Sequence, residues 1–314
     1  MRFYFFYITI VAASTDFSEK ICQAQTENQI KYCYIREILV SIPHDSNQIA
    51  VDKITNTLYF SIYTWQEEHV PVMMKIGSKK LTVLKGVRDS FGMAYDEVSR
   101  SMYFGGSRGI YKYNTAQRSL KRLLLKNLDV WWMFVKKNLY FIQFPSLRAY
   151  VYDNKTMKQV EGLRSSFAHQ FVYDFHENIF FINASGLYGV KNNSDKAILL
   201  RDNSRFTAMA IDNYGQIYVS SDESIFILSN VVPEVRRLVN IDGVIGMTFD
   251  KNNNLIYTDS HRIVRMRGEA ETEVETDVDT EAETATETEA ETKAESEANA
   301  EAEIQAFQCL RPEL

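Results

Sequence analysis

The sequence predicts an all-β fold, a six-bladed β-propeller, and three observations support this. A hydrophobic stretch, a polar turn and an aromatic-rich stretch recur in that order six times across residues 49–267. The copies are spaced by about 37 to 44 residues, which is the period of a four-stranded blade. Short apolar runs broken by Asp, Asn, Gly and Ser, without useful helical periodicity, indicate strands joined by turns.

The six copies predict one blade each. They read IAVDKITNTLYFS, MAYDEVSRSMYFGGS, a degenerate MFVKKNLYFIQF, FVYDFHENIFFINAS, AIDNYGQIYVSS and TFDKNNNLIYTDS. The repeated Asp that ends the first strand of most copies favours turn hydrogen bonding over metal ligation. The last copy has three strand-like runs, and residues 34–42, ahead of the first copy, form another. We expect that segment to supply the missing fourth strand, which leaves no open sheet edge.

The N-terminal residues predict export. Arg2 precedes the apolar run 3–13, and small residues follow, so residues 1–14 are typical of a signal peptide. The alternative is an N-terminal strand. No later apolar run approaches the roughly 18–20 residues that span a bilayer, so we expect a secreted, extracellular protein without a membrane anchor. Residues 15–48 then form an N-terminal segment that holds two cysteines and the closing strand.

Cysteines and sequons fit an oxidising compartment. Cys22 and Cys33 are eleven residues apart, and we expect them to form a disulfide, which leaves Cys309 as the odd thiol. Three Asn-X-Ser/Thr sequons predict glycosylation at Asn154, Asn183 and Asn192, although three in a chain of this length are weak support.

The charge is divided unevenly along the chain. The net charge of −6 combines +8 in residues 1–267 with −14 in residues 268–314. The second part alternates Glu with Thr or Ala, so it cannot bury enough apolar surface to offset ordering, and we expect it to be disordered. It either solubilises the protein or acts as an electrostatic partner or competitor of the basic body. The body's positive charge is scattered, and with the export signal this argues against nucleic-acid binding.

The candidate binding site is the channel mouth, where the innermost strands begin. Phe91 and Trp131 could stack on a flat ligand, Arg205 offers a planar fork to an anionic group, and His169 and Asp129 enter the same mouth. The alternatives are blade packing for Trp131, a hydrogen-bonded core or rim position for His169, and an exposed rim charge for Arg205. The set predicts a flat, partly anionic organic ligand, with no metal, cofactor or catalysis.

A calcium-dependent lactonase or esterase is the alternative function. Propellers of the gluconolactonase and paraoxonase type hold a metal ion in the channel, and the oxygen ligands could come from Asn47, Asp89, Asp129 and Asp242. The sequence lacks the Asn-Gly pair opening a blade and the mouth-facing Glu expected of that family. An HExxH motif does not occur either. We therefore favour binding without chemistry.

Several long runs resemble a known family. They are GGSRGIYKY at 105–113, Trp131 with NLYFIQFP at 138–145, and FFINASGLYG at 180–189, together with the paired N-terminal cysteines. These runs are similar to those of the secreted ommochrome-binding proteins of lepidopteran insects. The resemblance implies a haemolymph carrier of ommochromes, planar tryptophan-derived pigments that bear amino-acid or sulfate groups. We expect a monomer. The acidic C-terminal segment departs from this family, and no family motif assigns binding residues.

Overall fold

The structure is a computed structural model that describes residues 18–24, 31–64, 68–123, 128–202, 205–228 and 234–268. The predicted signal peptide, the acidic segment after Gly268 and Cys309 lie outside the described residues. Within the described ranges the chain forms strands and one short 3₁₀ helix, Glu161–Leu163. None of the helical structure found in those ranges is long and apolar enough to cross a membrane.

The first half of the chain forms two N-terminal strands and three blades. The N-terminal strands are β1 (Ser18–Ala24) and β2 (Lys31–Ser41). Blade one contains β3 (Ala50–Asp52), β4 (Thr57–Tyr63), β5 (His69–Lys75) and β6 (Lys80–Val83). Blade two contains β7 (Gly92–Asp96), β8 (Ser101–Gly106), β9 (Gly109–Asn114) and β10 (Ser119–Arg122). Blade three contains β11 (Val130–Val135), β12 (Leu139–Gln143), β13 (Arg148–Asp153) and β14 (Thr156–Gln159).

The second half forms the other three blades. Blade four contains β15 (Gln170–Tyr173), β16 (Ile179–Asn183), β17 (Gly186–Val190) and β18 (Ala197–Asp202). Blade five contains β19 (Phe206–Ile211), β20 (Ile217–Ser221), β21 (Ser224–Leu228) and β22 (Val235–Asn240). Blade six contains β23 (Gly246–Phe249), β24 (Leu255–Thr258) and β25 (Arg262–Gly268), followed in space by β2 and β1. The predicted all-β, six-bladed propeller is confirmed.

The ring of blades is closed by the N-terminal strand, as the sequence predicts. β2 pairs antiparallel with β25, so the first described strands complete the last blade. Arg265 crosses this junction, with its guanidinium 2.6 Å from the Glu37 carboxylate and 3.6 Å from that of Asp250. β1 adds a fifth strand, and the predicted disulfide between Cys22 and Cys33 ties it directly to β2. The fifth strand was not predicted.

The core lies between the blades, on the second strand of each repeat. One large side chain per blade is at most 1% exposed there; these are Phe60, Phe104, Phe141, Phe181, Val219 and Tyr257. Burying an apolar side chain of this size contributes about 1.5–3 kcal/mol, so the repeated position adds to the packing of every blade. This explains why the aromatic part of the sequence repeat returns at blade spacing.

The repeated Asp residues make turns, as predicted. Asp52, Asp96, Asp174, Asp212 and Asp250 each accept backbone N–H groups two to four residues ahead, at 2.8–3.2 Å. The degenerate third copy has a lysine at this point. Lys136 instead donates to the backbone carbonyl of Asp174 and to the Glu177 carboxylate, and so links blades three and four.

Candidate ligand-binding site

One residue from each blade surrounds the channel mouth. Each lies five residues before the turn position of its blade, and together they form the mouth ring: Asn47, Phe91, Trp131, His169, Thr207 and Ile245. With Gln48, Trp132, Gln170 and Phe206 they line a cavity of about 260 Å³, the mouth cavity. This volume is slightly below the roughly 300–1,000 Å³ of typical ligand sites, so the cavity suits part of a larger molecule.

β-bulges aim the mouth ring at the channel. In blades three and five the strand register shifts at Trp131 and Thr207, so each is the extra residue of a bulge. In blade four, His169 donates its backbone N–H to the carbonyl of Ile182, the residue that already opposes Gln170. A bulge redirects side chains near the rim of a sheet. Trp131, His169 and Thr207 therefore owe their direction to backbone irregularities at the start of the inner strands of blades three, four and five.

Two glutamine side chains make hydrogen bonds with backbone groups beneath the mouth ring. Gln48 donates through Nε2 to the carbonyl of Met133 at 2.6 Å, and its Oε1 accepts the N–H groups of Met93 at 3.0 Å and Met133 at 3.1 Å. Gln170 accepts the N–H of Met209 at 2.8 Å in the same manner. Inner strands leave backbone groups facing the channel, and these side chains pair with them. The glutamines thus join neighbouring blades from inside the channel.

An aromatic row crosses the mouth face and reaches the cavity. Successive ring centroids are 4.7–5.8 Å apart along His44, Tyr63, His69, Phe91, Trp131 and Phe144. Phe91 and Trp131 belong to the mouth ring, whereas Phe144 at the far end is 44% exposed. Because stacked and edge-on rings prefer such separations, the row forms a continuous aromatic surface that extends beyond the cavity.

The structure brings together three of the residues predicted for the site. Phe91, Trp131 and His169 all line the mouth cavity. Asp129 lies next to the row, since its backbone carbonyl accepts the N–H of Phe144 at 3.0 Å. Arg205 does not line the cavity; its side chain is 83% exposed, and its Nη1 lies 3.9 Å from the Asp222 carboxylate.

Three ionisable side chains near the mouth have shifted pKa values: Asp129, His69 and His169. Burial, and then the nearby Asp89 carboxylate, raise the pKa of Asp129. Burial lowers the pKa of His69, against the opposing effect of Asp89, and burial also lowers the pKa of His169. Both imidazoles are therefore neutral at pH 7 and can each donate one hydrogen bond and accept another. None of the ten lining residues is Lys or Arg.

Sequence reasoning missed several residues of this site. Tyr63 and His69 face each other across the β4–β5 hairpin, and Phe144 follows β12, so none begins an inner strand. Ile245 was not predicted either, and it lies three residues after Asp242, which the sequence analysis placed at this end of blade six. Counting five residues back from Asp250 would have located it, whereas the aromatic row depends on contacts between blades that leave no sequence pattern.

No group of three or more His, Cys, Asp or Glu side chains arranged to hold a metal ion is present in the described ranges. The acidic side chains expected as ligands are placed differently. Asp89 accepts the backbone N–H of Ser107 at 3.1 Å, and Asp242 is exposed in the loop before β23. The mouth ring itself contains no carboxylate.

Comparison with known proteins bears on this site. No family model matches the chain. The chain is 27% identical over 242 residues to the ommochrome-binding protein of Manduca sexta, covering 74% of this chain and 87% of that protein. The resemblance to the ommochrome-binding proteins is confirmed. It extends over most of the chain rather than over a short motif.

Several solved structures of other proteins share this fold. A gluconolactonase from Xanthomonas campestris superposes with a TM-score of 0.64 at 11% identity, over 83% of this chain and 97% of that one. Regucalcin from Agrobacterium tumefaciens, a calcium-binding protein, gives a TM-score of 0.56 at 11% identity, over 74% and 94% of the two chains. At such identities these similarities concern the fold alone.

Proposed function

We propose that this protein is a non-enzymatic carrier that binds a planar, ommochrome-type pigment at the channel mouth. The observation that carries the proposal is the aromatic row, which enters the mouth cavity at Phe91 and Trp131. The similarity to an ommochrome-binding protein over 74% of the chain supports the same ligand class.

The dimensions of the mouth suit a ligand that is partly inserted. The cavity of about 260 Å³ takes one end of a fused-ring system, and the aromatic row continues outside it for the remainder. The rings of Phe91 and Trp131 are 4.7 Å apart and inclined at 32°, so they form a wall on which the ligand stacks. Each favourable aromatic contact adds about 0.5–1.5 kcal/mol beyond the area buried.

The polar groups favour a pigment with an amino-acid group over one with a sulfate. Asp129 and Asp89 lie beside the aromatic row, and a cationic ammonium group would pair with them. The carboxylate of the same amino-acid group can accept a hydrogen bond from neutral His169, which lines the cavity. A sulfate would meet two carboxylates and no nearby lysine or arginine in the lining.

Extracellular carriage is part of this proposal. The Cys22–Cys33 disulfide fits an oxidising compartment. Asn154 and Asn192 are exposed in turns and accessible to glycosylation, whereas the Asn183 amide accepts two backbone N–H groups in its own turn. We also propose that residues 1–14 are the export signal, that residues 268–314 form a separate acidic extension, and that the mature protein is a monomer.

A spectral titration tests the proposal. Purified protein mixed with xanthommatin should shift the visible absorption of the pigment, because the pigment moves from water to a position stacked on the indole ring of Trp131. Trp131→Ala should weaken binding about tenfold to a hundredfold, as the loss of a buried aromatic anchor does. Tyr214→Ala is the matched control, since this ring is 74% exposed in the turn at the opposite end of the blade-five inner strand.

Two results would contradict the pigment proposal. One is an unchanged pigment spectrum at micromolar protein. The other is equal weakening by Trp131→Ala and Tyr214→Ala, which would show that the mouth is not the binding site.

Lactone or ester hydrolysis is the second candidate. Asn47 lines the mouth cavity, and Asp89 and Asp129 lie at the same end of the channel, which is where the sequence predicts oxygen ligands for a cation. Calcium-dependent turnover of a lactone or aryl ester that is abolished by a chelator and by Asp129→Asn would favour this function. We expect no turnover above the buffer rate with or without calcium.

A further inference from the structure

A second cavity occupies the other end of the propeller channel, where the inner strands end. Its volume is about 370 Å³, within the usual range for ligand sites. The inner strands of all six blades contribute to its wall, and the small side chains of Ala94 and Ala210 leave space between larger ones. Trp132 and Phe134 provide stacked aromatic rings, 6.0 Å apart at 17°.

The two cavities share a partition. Gln48 and Trp132 line both of them, so they separate the mouth from the second cavity. The Gln48 side chain is held by its three hydrogen bonds to Met93 and Met133. Trp132 is 4% exposed and packs against Phe171. A ligand in the mouth cavity therefore leaves the second cavity available.

Two lysines line the second cavity, and they differ in their partners. The Lys136 ammonium donates hydrogen bonds to the Asp174 carbonyl at 2.7 Å and to the Glu177 carboxylate at 2.8 Å. The Lys53 ammonium has no hydrogen bond or ion pair with any residue in the described ranges. Burial lowers the pKa of Lys53, while the Glu97 and Asp212 carboxylates oppose that effect. Asp212 is already occupied by the backbone of its own turn and by the Asn253 amide.

We propose that the second cavity binds a small aromatic carboxylate, with its ring against Trp132 and Phe134 and its carboxylate on the Lys53 ammonium. Asp96 and Glu97 also line the cavity, but the Asp96 carboxylate accepts hydrogen bonds from its own turn and Glu97 is exposed. A bound carboxylate would therefore supply the close counter-charge that the Lys53 ammonium lacks. The site is distinct from the mouth, and it does not depend on the pigment proposal.

Calorimetric titration with 2-naphthoate tests this site, with 2-naphthylmethanol as its neutral analogue. The full chain should bind naphthoate at least about tenfold more tightly than the alcohol, because a hydrogen bond to a charged group stabilises more than a neutral one. Lys53→Met should remove this difference, and Lys53→Arg should keep most of it. Lys80→Met, on an exposed strand of the same blade, is the matched control and should bind like the wild type.

Two further variants assign the location. Ala210→Leu fills the second cavity and should abolish naphthoate binding, while far-UV circular dichroism and urea denaturation show separately that the variant is folded. Trp131→Ala should leave naphthoate binding unchanged, because Trp131 lines only the mouth cavity. The proposal is overturned by absent binding up to about 1 mM naphthoate, by equal affinity in Lys53→Met, or by loss of binding in Trp131→Ala.

Discussion

The side chain of Gln48 joins three blades from inside the channel, and its replacement gives a sharp test of how the propeller is held together. Its amide makes three hydrogen bonds, one to the carbonyl of Met133 and two from the N–H groups of Met93 and Met133, at 2.6–3.1 Å. Gln48→Met keeps the length of the side chain and removes every one of these bonds. The mutation therefore isolates the polar contribution from packing.

The expected magnitude follows from the groups left behind. Three backbone groups lose their protein partner, and a buried polar group without a partner costs about 1–3 kcal/mol. Cavities adjoin Gln48 on both sides, so water can reach some of these groups and reduce the cost. We expect Gln48→Met to lower the free energy of unfolding by about 2–4 kcal/mol. Gln170→Met, which frees fewer backbone groups, should lower it by less.

Urea denaturation followed by far-UV circular dichroism measures this change. Gln117→Met is the control, because Gln117 is exposed in a turn of blade two, and surface changes of this kind stay within about 0.5 kcal/mol. A loss below about 1 kcal/mol for Gln48→Met, with an unchanged denaturant slope, would refute the reasoning. It would mean that water replaces the glutamine without penalty, and that packing between the blades alone fixes the channel.

Three other predictions concern pH, the disulfide and the mouth carboxylate. Burial lowers the pKa of His169, so as the pH falls the unfolded chain binds a proton at this residue before the folded chain does. The free energy of unfolding should therefore fall as the pH drops below about 6.5. His169→Gln should reduce this dependence, as measured by urea titrations at pH 7 and pH 5. Replacing both Cys22 and Cys33 with Ala should cost about 2–3 kcal/mol, measured by thermal unfolding, with the far-UV circular dichroism spectrum of the folded protein unchanged. Asp129→Asn should weaken the binding of a pigment that carries an ammonium group by about tenfold or more in absorption titrations. Arg205→Ala should leave the affinity for the same pigment unchanged.

The fold was predictable because its main determinants repeat. Each Asp turn is a local hydrogen-bonded unit, and each buried anchor such as Phe104 or Phe181 returns at the spacing of one blade. The closing strand could be predicted because the last copy contains only three strand-like runs, while an additional strand-like run lies ahead of Ala50. The fifth strand β1 was not predictable in this way, because the sixth sheet is complete without it.

The site was predictable only in part, for reasons that differ between residues. Phe91 immediately precedes the inner strand β7, and Trp131 is the second residue of the inner strand β11. That position alone places both residues at the mouth. Arg205 also precedes an inner strand, but the bulge in blade five presents Thr207 to the channel and leaves Arg205 facing Asp222. Position along a strand does not give side-chain direction where the register shifts. Tyr63 enters the aromatic row only through the packing of blade one.

The net charge of the body and the groups at the channel mouth favour different ligands. The +8 of residues 1–267 suggests an anionic partner, yet the groups beside the mouth cavity are the carboxylates of Asp89 and Asp129 and two neutral imidazoles. Coulomb interactions between exposed charges are screened within about 8–10 Å at physiological salt, so scattered surface lysines and arginines contribute little to the potential inside a narrow cavity. The nearby carboxylates are therefore the charges that we expect a ligand to meet. On this argument, a zwitterionic ligand that offers its ammonium to Asp89 and Asp129 should bind more tightly than a sulfate of the same shape.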